Sequence, residues 1–293
     1  MSNALSSVIP VAVLVYSVAS MLSVGLGAAL RNILGPLRDP GAVARALVAN
    51  FVLVPLLALG VLRLLPLEWP LETGLLLLST AAGAPFLVKL TEAAEGRMGT
   101  SAALLLALLP VTVFTMPFTV PLLVPGAQVR ASAIATPLVL TMLLPLVAGL
   151  LFRARAEAWA HRLLPRLQTL STVALLVFVV ATIWRNAHTI GALLSRGTPV
   201  LAAVLAILGA FVIGYGFGGG KRHRRETLGL GTAQRNIAAS MVVATQSFDD
   251  PRVNAMVVVT SLLTLVVLFP IAFTMRRLRP RAQRDGRTHG TST

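Results

Sequence analysis

Gly229-Leu-Gly-Thr-Ala-Gln-Arg-Asn236 decides how this chain is read. It lies in an apolar segment, residues 227–248, whose single charge is Arg235. A charge at the centre of a bilayer costs roughly 2.5–3.5 kcal/mol on the insertion scale, so one that persists there is informative. Arg235 stands nine residues past Glu226 and fourteen before Asp249. At the helical rise per residue it lies roughly 13 Å from one end, near mid-depth. Gly229 and Gly231 weaken a helix, while Thr232, Gln234 and Asn236 add hydrogen-bonding groups. The pattern predicts an interrupted membrane helix whose unwound backbone lines a cavity.

The rest of the chain supplies the membrane. Hydrophobic residues make up 56% and charged residues 12%, about half the charged share of soluble proteins. Uncharged stretches alternate with short basic ones, at the length a helix needs to cross hydrocarbon. Nine spans are predicted, near residues 8–30, 46–62, 73–91, 98–125, 131–152, 167–184, 198–217, 227–248 and 253–275. The fourth is expected to be broken by Pro110, Pro117 and Pro121. Residues 1–275 thus form one all-α polytopic domain, and 276–293 a basic tail. No cleavable signal peptide is evident, since residues 1–7 lack a positive n-region.

The third span mirrors the eighth. Ser79-Thr-Ala-Ala-Gly-Ala-Pro-Phe-Leu-Val-Lys89 places Gly83 and Pro85 in mid-span. Pro85 should break the helix, because it lacks an N–H and crowds the carbonyl four residues back. Lys89 and Thr91 follow the break. Two interrupted segments at corresponding positions of two halves point to the binding site of a secondary transporter. Lys89 is also only three residues from Glu92, close enough to snorkel to the interface. Asn50, in the second span, suits an interhelical hydrogen bond as well as it suits a ligand.

Loop charges set orientation. Assigning loops alternately to two sides puts eighteen Lys and Arg on one side and five on the other. The rich side should be cytoplasmic, with the N-terminus outside and the C-terminus inside the cell (inner) membrane. The net charge of +15 is therefore a membrane signal, with anionic lipid as its partner, and nucleic acid is rejected. Residues 218–225 read as a flexible basic loop. Gly218-Gly-Gly-Lys221 lacks the spacing of a phosphate-binding loop. Zero cysteines exclude disulfides, thiolate metal sites and a cysteine nucleophile. The four histidines are placed in loops or the tail, so no metal or cofactor is expected. Asp249-Asp250 before Pro251 read as helix-end punctuation rather than an acid–base pair, which argues against an enzyme.

At these residues the chain resembles the bile acid:sodium symporter family, in the nine-span form found among its bacterial members. The resemblance rests on Ala49-Asn-Phe-Val-Leu-Val-Pro-Leu-Leu57, the broken segment 80–96 and Gly231-Thr-Ala-Gln-Arg-Asn-Ile-Ala-Ala-Ser240. It implies two inverted repeats, core and panel subdomains, two discontinuous helices crossing at mid-membrane, and transport by alternating access. Carried over to this chain, it makes Ser101 a sodium-site serine, Asn50 the counterpart of a sodium-site glutamine, and Asn236 the asparagine that starts a half-helix. The departures are as informative. The family glutamate that ligates sodium falls on Gly231, the following glutamine on Arg235, and a Ser-Asn pair on Leu87 and Val88. The candidate substrate residues are Arg235, Asn236, Gln234, Thr232, Lys89, Thr91, Asn50 and Ser101, for a small organic anion carried without sodium; the alternatives are a sodium-coupled symporter of the same fold and a membrane-embedded receptor or enzyme.

Overall fold

A computed structural model describes residues 2–27, 39–124, 130–185 and 187–278 of the chain. Arg31, Arg38 and the tail beyond Leu278 lie outside the described residues. Twelve helices follow one another, and no strand occurs among the described residues. They are α1 (Ser2–Gly27), α2 (Pro40–Leu64), α3 (Trp69–Thr80), α4 (Leu87–Ala93), α5 (Met98–Leu123) and α6 (Ala131–Arg155). Then come α7 (Glu157–Arg185), α8 (Ala187–Arg196), α9 (Thr198–Phe217), α10 (Arg222–Ala233), α11 (Ile237–Ser247) and α12 (Pro251–Arg277).

Among the described residues, seven helices are long and apolar enough to cross a membrane: α1, α2, α5, α6, α7, α9 and α12. Their outward faces are apolar, with Phe118 72%, Leu122 82% and Val212 66% exposed. Such a surface suits hydrocarbon and not water. The chain is a polytopic α-helical membrane protein.

α1 packs chiefly on α6 and α7. It meets α6 closely enough that a Cβ on Gly25 would stand 2.4 Å from the Leu146 carbonyl, the kind of small-residue contact that lets membrane helices approach. The other helices gather elsewhere. α9 lies on α10 and α2, and α12 on α3, while α11 touches α1 and α6 as well as α12. A π-helical turn, Ala49–Leu53, sits within α2 and turns Asn50 into the protein.

Three details differ from the sequence reading. α5 runs unbroken through Pro110, Pro117 and Pro121, as membrane helices tolerate where other groups satisfy the freed backbone. Arg222, Arg224 and Arg225 belong to the first turn of α10 rather than a loop, and the loop shrinks to Gly218–Lys221. His161, His188 and His223 lie on helices α7, α8 and α10. Asp250 does cap α12, accepting the Arg252 N–H at 2.9 Å.

Candidate functional site

The two short helix pairs α3–α4 and α10–α11 are broken where they meet. Pro85 sets the first break. The carbonyl it would crowd, four residues back, belongs to Ala81, where α3 has ended. That oxygen accepts the backbone N–H of Asn236 at 2.9 Å. Gly83 turns the chain with φ of 75°, and its carbonyl accepts from Asn236 Nδ2 at 3.0 Å. Asn236 Oδ1 meanwhile caps α11 by accepting from Ala239 N–H at 3.2 Å. One asparagine thus starts a helix and ties it to the opposite break. Thr112 of α5 holds the same turn, accepting from Ala82 N–H at 3.0 Å and donating to the Ala82 carbonyl at 2.9 Å.

Arg235 fills the space between the breaks. It is 8% exposed. Nε donates to the Leu78 carbonyl at 2.9 Å. Nη1 donates to Asn50 Oδ1 at 2.8 Å and to the Thr232 carbonyl at 3.2 Å. Nη2 donates to the Asn50 carbonyl at 3.4 Å and to the Ser79 carbonyl. A guanidinium has five N–H groups, and each has an oxygen here. Ser79 supplies a carbonyl at the end of α3, and the Leu78 carbonyl is shared between Arg235 and the capping Ala81 N–H at 3.1 Å. No carboxylate forms an ion pair with Arg235 among the described residues. The charge rests on carbonyl dipoles alone.

The other candidates divide. Asn50 and Thr232 are buried and belong to the cluster, with Asn50 Nδ2 donating to Thr232 Oγ1 at 3.1 Å and to the Ala46 carbonyl at 2.9 Å. Gln234 is buried beside them, and its Oε1 has no hydrogen-bond partner among the described residues. Thr91 is buried but spends its hydroxyl on the Leu87 carbonyl of its own helix, at 2.9 Å. Ser101 is buried in the first turn of α5. Lys89 is exposed, and so is Glu92.

Gly229 and Gly231 do not unwind the helix as their sequence suggested. α10 continues through Ala233, and only Gln234, Arg235 and Asn236 are non-helical. The glycines allow close packing instead. A Cβ at Gly231 would stand 2.8 Å from Leu104 Cδ2 and 3.0 Å from Leu87 Cδ2. Two leucines therefore occupy the space that a longer side chain at 231 would need.

Sequence reasoning missed Thr112 and the carbonyls of Leu78 and Ser79. Thr112 carried a faint signal, a hydroxyl two residues past Pro110 in a largely apolar helix that also holds Thr115 and Thr119. A donation from Arg235 to carbonyls freed by the helix break is expected from the sequence, but Leu78 and Ser79 could not be singled out without the packing of the two breaks.

The turn at Gly83 yields a prediction. A Cβ there would lie 2.7 Å from Leu109 N, on a backbone that L-residues rarely adopt. Gly83→Ala should destabilise the protein by at least about 2 kcal/mol, from the left-handed backbone and the backbone clash together. Thermal unfolding in detergent measures it. An unchanged midpoint would show that the turn is not held as described.

Residues 14–193 match the model of the sodium bile acid symporter family. The chain belongs to that family. It is a transporter family. The chain is 24% identical over 270 residues to the probable sodium/metabolite cotransporter BASS1, chloroplastic, of Arabidopsis thaliana, covering 91% of this chain and 67% of that protein. It is 23% identical over 246 residues to the probable sodium/metabolite cotransporter BASS2, chloroplastic, of Oryza sativa subsp. japonica, covering 80% of this chain and 56% of that protein.

Proposed function

We propose that this symporter-family member carries a small organic anion by alternating access, and that the Arg235 guanidinium takes the place of a coupling cation. The observation that carries this reading is the saturation of all five guanidinium N–H groups by oxygens at the junction of two broken helices. Oxygen atoms converging on one positive charge are what a metal cation would use; here the charge is covalent. At the neighbouring position, Gly231 offers no carboxylate, and Leu87 and Leu104 fill the space before it. The two relatives are named for sodium, and this reading separates the chain from that coupling on the strength of Gly231 and Arg235.

The fold completes the picture. The seven long helices plus the two broken pairs α3–α4 and α10–α11 give nine crossings. α1, α6 and α7 form the panel and the other helices the core, with the two halves related as inverted repeats. The solute binds where α11 meets the panel. Ile237 and Ala238 begin α11 and share one apolar cluster with Tyr16 of α1 and Ala174 of α7. A half-helix N-terminus carries partial positive charge and open N–H groups, which favour a carboxylate. Arg235 contributes charge there at short range. Its N–H groups are engaged by the protein, so a carboxylate would have to displace a carbonyl to bind it directly. Gln234, with its free acceptor, offers a hydrogen bond to a solute hydroxyl or amide.

Proteoliposome uptake tests the substrate class. Small carboxylates with an apolar portion should compete with one another for uptake, and their neutral amides should compete at least tenfold less well. Equal competition by the amides would remove the anion from the proposal.

Topology has its own test. Single cysteines placed at Lys221 or Gly220 should resist an impermeant maleimide in intact cells, whereas one at Asp249 should react. The warrant is the eighteen-to-five bias of loop cations. Labelling of the 220–221 positions from outside would invert the orientation.

A further inference from the structure

A cavity lies beside the junction of the broken helices, towards the end of the molecule that holds the glycine loop. Its volume is about 70 Å³, where one water needs roughly 10–15 Å³. Ala42 and Ala46 of α2, Ala103, Leu104 and Ala107 of α5, and Leu228 of α10 give it apolar walls. Arg45 and Arg224 are among the residues that line it as well.

Neither arginine is used up. Arg45 donates only Nε, to the Phe217 carbonyl at 3.1 Å. Its two Nη groups make no hydrogen bond among the described residues. Gly219 leaves room for them: at φ of 77° it brings backbone so near that a Cβ would stand 3.2 Å from Arg45 Nη2. Arg224 gives Nη1 to Asp39 and leaves Nε and Nη2 without a hydrogen bond among the described residues. Asp39 also caps α2, accepting from Ala42 N–H at 3.0 Å. Arg224 beside it and that N–H hold its carboxyl below the usual range, so Asp39 stays charged at neutral pH.

An apolar chamber with two partly unspent guanidinium groups suits one ligand chemistry, an acid head on a short apolar body. Guanidinium edges bind carboxylates with parallel hydrogen bonds, and small apolar walls accept an alkyl chain. We infer that this cavity binds a small amphipathic carboxylate at Arg45 and Arg224, as a site separate from the crossover. The two are adjacent, because Ala46 lines the cavity and its carbonyl accepts the Asn50 amide at 2.9 Å. A solute held here would stand at the approach to the crossover from the side where the basic loops gather. The site does not depend on the role given to Arg235.

Octanoate is the probe, and thermal unfolding of the full-length protein in detergent is the measurement. Octanoate should raise the midpoint saturably, while octanol and octylamine should not. Arg45→Gln should weaken the apparent affinity at least tenfold, and Arg45→Lys should retain part of it. Ala107→Leu, which narrows the chamber, should also weaken binding. Asp39→Asn keeps a capping side chain and frees Arg224, so it should tighten binding. Opposite effects from Arg45→Gln and Asp39→Asn distinguish a ligand site from a structural ion cluster. The inference is overturned by equal shifts with octanol, by octanoate binding that ignores Arg45→Gln and Ala107→Leu, or by native mass spectrometry showing that only phosphatidylglycerol occupies the cavity. An Arg235→Gln protein that still binds octanoate leaves this site standing and tests the crossover alone.

Discussion

Replacing Arg235 with glutamine should abolish transport. The substitution removes most of the donors that bind Leu78, Ser79, Asn50 and Thr232. A buried acceptor left without a donor costs about 1–3 kcal/mol. Losing several at once exceeds the cost of most single substitutions, and the loss falls where α3, α10 and the π-helical turn of α2 are joined. Uptake below about a hundredth of wild type is expected, together with a lower unfolding midpoint. Lysine should be a poor substitute. It keeps the charge but offers three donors on a flexible stem instead of five in a planar fork. Two comparisons separate a specific role from simple misfolding. Thr112→Val should lower stability through the Ala82 clamp while leaving the Arg235 hydrogen bonds in place, so transport by the folded fraction should persist. Free guanidinium, far below denaturing concentration, should restore part of the stability of Arg235→Ala. An Arg235→Gln protein that transports normally would make the guanidinium dispensable, and the site would lie elsewhere.

How much of this was legible in the sequence follows from where the information lies. Membrane crossing was legible because it depends on composition along one segment, as in residues 198–217. The break at Pro85 was legible because a missing N–H is a local fact. So was the importance of Arg235, since a charge among apolar neighbours is expensive wherever it points. Its partners were not legible. Asn50 lies 185 residues away, and its approach depends on a π-helical turn that composition does not mark. The glycines at 229 and 231 misled in detail. Glycine both weakens a helix and permits close contact, and only the presence of Leu87, Leu104, Phe211 and Tyr215 against them shows that contact is the use here. α5 misled in the same way, because proline breaks a helix only where no neighbour satisfies the freed carbonyls. The Arg45–Arg224 cavity had no sequence signal, since both residues were absorbed by the cytoplasmic charge bias.

The second large effect is an absence of sodium response, and it is the central claim. On the proposed reading, a sodium ion among the oxygens that Arg235 holds would stand beside a guanidinium. Two unit charges 4 Å apart repel by about 4 kcal/mol at an effective dielectric of 20, close to a thousandfold in affinity. Gly231 brings no carboxylate, and leucines fill the space before it. Introducing the missing acid alone should not restore coupling: Gly231→Glu would drive a side chain into Leu87 and Leu104 and destabilise the protein. The measurement that decides needs no knowledge of the substrate, because any ion that binds only the folded state raises apparent stability. Purified wild-type protein is unfolded thermally in sodium chloride and in potassium or choline chloride at matched ionic strength. The midpoints should coincide at every concentration. A saturable rise confined to sodium would contradict the account, and Arg235 would then be a structural residue beside a working ion site.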